Sequence, residues 1–339
     1  MLGATFIRTT SVALGIAASF AALASPAHAQ AYVPAQGEGA VSVMYSDQFF
    51  RYHYSPTTAT DAGQIYAKSM LFDVTYGLTD RVAISVGLPL VATRYNGSSP
   101  HPLPDFSGPN PIDDGTWHTT AQDFRFDLRY NVTRNLLNKG IVFTPFVGSI
   151  VPSHDYPYFV HSGFGKDLRE VQGGVSVAKL FERGIPGLIV QGRYSFGFTE
   201  QAVDIPHNRS LASIEVGYFA TPKLRLMGLS SGQRTHGGID FYGPISRTLL
   251  TPEQFLHHDQ ITRENYLALG GGASYSITET IDVYGSVLHD VARRNGHGLT
   301  RGVNLGLSYS FSTSHARKIA ADRTAEGSLA KCLCEKGTK

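Results

Sequence analysis

The chain is written in alternation. From Ala121 to Val132 the sequence AQDFRFDLRYNV puts Phe124, Phe126, Leu128, Tyr130 and Val132 on one set of alternate positions. Asp123, Arg125, Asp127 and Arg129 occupy the other set. A period of two is that of a β-strand, whose side chains point to opposite faces in turn. The same alternation recurs over 39–54, 64–77, 81–94, 119–132, 140–151, 169–180, 187–199, 208–220, 223–235, 263–276, 280–291 and 300–312. Most of these segments are near the roughly 9–11 residues that a tilted strand needs to cross a bilayer.

The connections alternate as well. Short links fall at 77–80, 131–139, 180–186, 220–223 and 278–280, and longer ones lie between them, including 95–118 and 236–262. Five short and six longer connections predict twelve antiparallel strands with both termini on the short-turn side. A soluble sandwich does not require this asymmetry, whereas an up-and-down transmembrane barrel with short periplasmic turns and longer external loops does. In such a barrel the aromatic set of 121–132 meets lipid and the charges face a wet lumen, because an Arg or Lys on the lipid face at mid-bilayer costs about 2–4 kcal/mol.

The ends agree with export to an outer membrane. Residues 1–29 read as a cleaved signal peptide, with Arg8, the apolar run Ser11–Ala24 and a small-x-small site at Ala27-His28-Ala29. The barrel is expected over 30–312 and a basic tail, flexible or a short helix, over 313–339. The final strand reads NLGLSYSF, where Asn304, Gly306, Tyr309 and Phe311 form a polar-x-Gly-x-x-aromatic-x-aromatic pattern. It resembles the terminal strand read by the barrel-assembly machinery, although here residues follow it.

Composition narrows the field. Thirty-six Gly, 17 Tyr and 19 Phe with 17% charged residues suit an all-β chain. The formal net charge of +2 conceals a tail of about +3, so the basic balance belongs to the tail and implies no nucleic-acid partner. Both cysteines, Cys332 and Cys334, lie in that tail, which excludes a disulfide framework for the body.

One stretch carries a family resemblance. TYGLTDRVAISVGLPLV, Thr75 to Val91, followed by AQDFRFDLRYNV, resembles the outer-membrane barrel family labelled the putative MetA pathway of phenol degradation. The match covers roughly residues 65 to 132. It departs where the family tends to carry Gly-Asp and this chain reads Gln122-Asp123. The resemblance implies a barrel that passes small, often aromatic or apolar, catabolic substrates.

The expected lumen set is Asp47, Arg51, Asp73, Asp123, Arg125, Asp127, Arg129, Gln191, Arg193, Glu215, Arg225 and Asp282. Rings of such charge bias what enters a pore, or the pairs simply fill a narrow interior. No cofactor or metal site is expected. His101, His118, His154, His161, His236, His257 and His258 fall outside the strands and read as solvated loop histidines. No catalytic constellation emerges either, since contiguous His207-Asn208-Arg209-Ser210 on a strand cannot converge as a triad. The expectation is a monomeric, non-enzymatic channel for small organic solutes in the outer membrane of a Gram-negative bacterium. Structural or adhesive barrels with binding loops, and lipid-modifying enzymes, are the alternatives.

Overall fold

The computed structural model describes residues 31–97, 112–133, 140–242 and 249–313. The expected signal peptide, His101, Cys332, Cys334 and the tail from 314 lie outside the described residues. Among the described residues thirteen strands make a single antiparallel sheet: β1 (Glu38–Tyr54), β2 (Ala59–Gly77), β3 (Val82–Asn96), β4 (His118–Ala121), β5 (Phe124–Tyr130), β6 (Val142–Val151) and β7 (Glu170–Phe181). The rest are β8 (Leu188–Thr199), β9 (His207–Phe219), β10 (Leu224–Gly237), β11 (Asn265–Ser276), β12 (Ile281–Arg294) and β13 (Gly296–Ser312). Each strand pairs with its sequence neighbour, and β1 pairs with β13 from Glu38↔Ser312 to Tyr54↔Gly296, which closes the sheet. Both β4 and β5 pair with β3, so together they fill one place of a twelve-place, up-and-down barrel.

The segment expected as one strand over 119–132 is therefore broken, and the register shows how. Leu90 pairs with Ala121 and Gly87 with Arg125, so β3 advances three residues while its neighbour advances four. One extra residue on one side is a β-bulge. The Gln122 amide still donates to Pro89 O at 2.8 Å, while its side chain reaches across to Phe164 O at 2.7 Å.

Two external connections are shorter than the alternation implied. β1 and β2 run to a tight turn at 55–58, where Ser55 Oγ accepts from the Thr58 amide at 3.0 Å. β12 and β13 are joined through Asn295 (φ 57°) and Gly296 (φ 70°), two consecutive left-handed residues. That is the conformation an Asn-Gly hairpin turn requires. These two hairpins rise above the others, and the long connections at 152–169 and 238–264 lean on them. The described part of the latter contains two short helices, α1 (Pro252–Leu256) and α2 (His258–Ile261).

The two faces of the wall differ as the alternation requires. Outside, Phe72, Val74, Phe126, Ile214, Val216 and Leu305 are 37–62% exposed with their neighbours in an almost unbroken apolar belt. Such a surface is far larger than the few hundred Å² that a soluble monomer tolerates, and a bilayer is what covers it. Inside, Ser42, Ser46, Thr144, Ser176, Ser195 and Ser308 are buried hydroxyls. Gly306 finds a physical reason here: it pairs with Tyr284, whose ring lies flat over it where a Cβ would stand.

Two outcomes test the wall. Unboiled protein should migrate faster than boiled protein on a detergent gel, and a carbonate-extractable protein would contradict the fold. Ile214→Arg, on the outer face of β9, should cost about 2–4 kcal/mol in unfolding from vesicles, whereas Ser213→Arg on the inner face should cost far less.

Candidate functional site, the barrel lumen

The alternation of β5 delivers Arg125, Asp127 and Arg129 to one interior wall, and β2 and β8 add Asp73 and Arg193. All five line a cavity of about 630 Å³. Arg193 Nη2 lies 3.1 Å from Asp127 Oδ2, and its guanidinium is seated on the Phe146 ring. Arg129 Nη2 donates to Ser85 Oγ at 2.8 Å and to Thr75 Oγ1 at 3.3 Å. Gly148 is what makes room beside Asp127, because a Cβ there would collide with the carboxylate. Three guanidiniums therefore face two carboxylates, and hydroxyls from Ser42, Ser149, Ser195, Ser213 and Ser231 complete much of the polar lining.

The floor of the cavity is the N-terminal segment 31–37. It turns back from β1, with the Gly37 amide on Gly77 O at 2.9 Å and the Gln36 amide on Asp80 Oδ1 at 3.2 Å. Its far end reaches β6 and β7, where Thr144 Oγ1 donates to Ala31 O at 2.5 Å and Ala31 packs on Val142 and Ala178. In barrel order those strands are four and five places from β1, so the segment spans the periplasmic mouth. Tyr32, Val33 and Pro34 present their surfaces to the cavity.

The ceiling is the 152–169 connection, folded inward. Tyr156, Val160, His161, Ser162 and Phe164 are buried. Asp113 accepts from the His161 and Ser162 amides at 2.8 and 3.0 Å, Thr93 Oγ1 donates to Ser162 O at 2.6 Å, and Tyr156 donates to Asp123 Oδ1 at 2.5 Å. His161 stacks on Tyr95 at 4.4 Å. The 238–264 connection holds it from the other side, with Gln260 Nε2 on Lys166 O at 2.7 Å and Lys166 Nζ 3.4 Å from Glu264. Burial lowers the Lys166 pKa and raises that of Asp259 well above the usual carboxylate range. Asp167, desolvated and facing Asp155 and Asp123, is pushed up to about 6. At the outer edge Asp114 is held down at about 2 by its hydrogen bonds from His118 and Thr116.

The other members of the expected lumen set are scattered. Gln191, Glu215 and Arg225 form a separate cluster on the β8–β10 wall, with Gln191 Nε2–Glu215 at 2.8 Å and Arg225–Glu215 at 3.2 Å. Asp282 accepts from Ser276 Oγ at 2.6 Å. Asp47 and Arg51 do not face the lumen. Asp47 shares the outward face of β1 with Val41, Val43 and Tyr45, because the alternation places it there. Arg51 sits where β1 shifts register, half exposed and paired with Asp61 at 2.9 Å. His161 and His258 are buried, correcting their reading as solvated, because the loops that carry them fold into the barrel. Among the described residues no grouping of His, Cys, Asp and Glu is placed to hold a metal ion. Of the assembly-pattern residues, Asn304 donates to Ser286 Oγ at 3.1 Å, Tyr309 is exposed on the outer wall, and Phe311 packs over Gly39.

Sequence reasoning passed over the buried pair Glu170–Arg209, at 2.5 Å. The signal was present: Glu170 shares its alternate set with Gln172 and Ser176, and Arg209 shares its set with Ser213 and Glu215. The inward fold of 31–37 and 152–169 had no such signal.

Burial of Asp167 makes loop docking depend on pH. Its folded pKa lies above the ordinary value of 3.8, so its contribution to docking is full below about 3.8 and is lost as pH rises through about 6. A cysteine at Val160, in a chain lacking Cys332 and Cys334, should react with maleimide faster beside Asp167 than in the Asp167→Asn variant at pH 7. That difference should shrink by pH 5, and equal rates at pH 7 would contradict the assignment.

No family model and no curated protein matches the sequence. Solved structures do match. The COG4313 outer membrane channel from Pseudomonas putida F1 superposes with a TM-score of 0.64 at 13% identity, over 85% of this chain and 99% of that one. The NanC porin aligns at TM-score 0.44 with 11% identity, over 79% of this chain and 98% of its own. A TodX mutant, a monoaromatic hydrocarbon channel, aligns at 0.41 with 11% identity, over 84% and 92%. The last two are too distant to carry argument. What the first establishes is the architecture: this chain shares the barrel fold of that outer-membrane protein.

Proposed function

We propose that the protein is a passive outer-membrane conduit for small organic solutes, and that those it passes most readily carry a carboxylate. The observation that carries this reading is the cavity of about 630 Å³ inside a closed barrel, with Arg125, Arg129 and Arg193 against Asp73 and Asp127. That volume falls in the range of small-molecule sites, about 300–1,000 Å³. A guanidinium recognises a planar carboxylate by paired donors, and surrounding hydroxyls replace water around the rest of a polar solute. The apolar or aromatic class implied by the MetA resemblance fits this lining less well, unless the ring bears an acid group. Tyr32 offers such a ring a surface at the same cavity.

Transport in this account is diffusion down a gradient. The N-terminal floor and the loop ceiling set the two resistances in series, and the charged wall between them sets preference. The apolar belt and the barrel fold support an outer-membrane location. The Asn304–Phe311 pattern is the part offered to the assembly machinery, and the monomer closes its own sheet with no partner strand. A second reading, a structural barrel that binds through its loops, draws support from the densely bonded ceiling at Asp113, His161 and Ser162.

The test is the swelling of proteoliposomes in small carboxylates and in neutral sugars of similar size. Wild-type protein should admit the acids faster, and Arg125→Glu with Arg129→Glu should reverse that preference while the barrel still inserts. Deleting 31–36 should raise the rate for every solute. No uptake of either class by inserted barrel, with or without 31–36, would favour the structural reading.

A further inference from the structure

Opposite the lumen, the outer wall carries a feature that permeation does not use. Cross-strand pairing sets Arg301, Phe49, Tyr66 and Arg94 in one row across β13, β1, β2 and β3. Asp47 and Lys68 pair in the row nearer the periplasm. All belong to the outward alternate sets of their strands, above Leu305, Met70 and Leu90 of the apolar belt. The height of the row follows from strand geometry. Tyr66 lies eleven residues from Gly77 at the periplasmic end of β2. At about 3.3 Å per residue and a tilt of about 40°, that is roughly 28 Å along the membrane normal, just past an apolar band about 25 Å tall.

The cations in this sector are arranged around rings, not around acids. Lys68 Nζ lies 4.8 Å from the centre of the Trp117 ring, and the Arg94 guanidinium lies 5.0 Å from both Trp117 and Tyr66. Phe49 backs Tyr66 at 5.1 Å. Among the described residues neither Lys68 nor Arg94 has a carboxylate partner, and Arg94 Nε is buried without a hydrogen bond. Arg301 is 62% exposed and only 4.0 Å contact with Asp47 offsets it. The nearby carboxylates Asp61 and Asp114 are engaged by Arg51 and His118. Three cations thus face one loosely paired acid. On the far wall Val171 and Phe198 stand ten residues from the periplasmic ends of β7 and β8, and β10 carries the exposed Arg234 at a like position, so the cations are grouped in this sector rather than spread evenly.

We propose that this sector, Lys68, Arg94 and Arg301 with Trp117 and Tyr66, binds the phosphorylated sugar headgroup of the glycolipid that forms the outer leaflet, its acyl chains lying on the belt beneath. Charge complementarity, the height of the row and its continuity with the lipid-covered wall select that occupant. Stacked rings hold the Lys and Arg stems upright, leaving their donors directed to anionic oxygens. The proposal rests on the outer-membrane reading but not on the permeation reading.

The experiment titrates refolded full-length barrel in detergent with bis-phosphorylated lipid A and counts bound lipid by native mass spectrometry. The variant Lys68→Gln/Arg94→Gln/Arg301→Gln should weaken binding at least about tenfold, given the contribution of each basic residue at an anionic lipid surface. Lys179→Gln, removing an outward cation at the periplasmic end of β7, should bind as wild type. Dephosphorylated lipid A should bind wild type no better than the intact lipid binds the triple variant. If the triple variant loses its heat-dependent gel shift, Lys68→Gln/Arg301→Gln replaces it, with a loss of at least about fivefold expected. Equal binding by wild type and variant, or by the dephosphorylated lipid, would overturn the proposal, as would displacement by millimolar inorganic phosphate, which would assign the site to a free anion. Failure of wild-type protein to enter membranes would instead defeat the outer-membrane reading.

Discussion

Closure of the sheet is the constraint on which everything else depends. In hydrocarbon no water satisfies an exposed peptide group, and each one left open costs several kcal/mol. A strand can cross only if both of its edges are paired. The seam between β1 and β13 meets that demand from Glu38 to Tyr54, so the first and last strands of the barrel must coexist before either is stable in lipid. The bulge at Gln122 shows the same rule locally: where the ladder to β3 slips by one residue, the amide still finds Pro89 O.

Closing twelve strands creates an interior that side chains alone do not fill, and the molecule treats its three levels differently. Near the periplasm a backbone segment spans the mouth, held by Thr144 and Gly77. In the middle, paired charges and hydroxyls line an open space. Towards the exterior two loops interlock through Asp113, Lys166, Gln260 and Glu264, and here burial perturbs acids such as Asp167 and Asp259. Fixed charge lines the middle, and the N-terminal segment and the two loops close the ends.

The wall was legible in the sequence because a strand half covered by lipid leaves a period-two record, as at Phe126, Leu128 and Tyr130. Parity alone also placed Asp47 beside Val43 and Tyr45. Its charge alone points to the lumen, but above the belt the outward face becomes polar, as Lys68 beside it shows. Asn295-Gly296 carried a hairpin signal that the broader loop pattern obscured. The floor and the ceiling left no periodic trace. Ala31 is buried by Thr144, 113 positions away, and His161 by Tyr95 and Asp113; contacts of that separation follow from closure, which no local pattern encodes.

The central claim, that the closed barrel encloses a traversable and cation-lined path, is tested most directly by single-channel recording of the refolded protein in planar bilayers. The account predicts discrete conductance steps that prefer anions and are interrupted by small aromatic acids. Correctly folded barrel that inserts and stays silent, or conducts with cation preference, would contradict it.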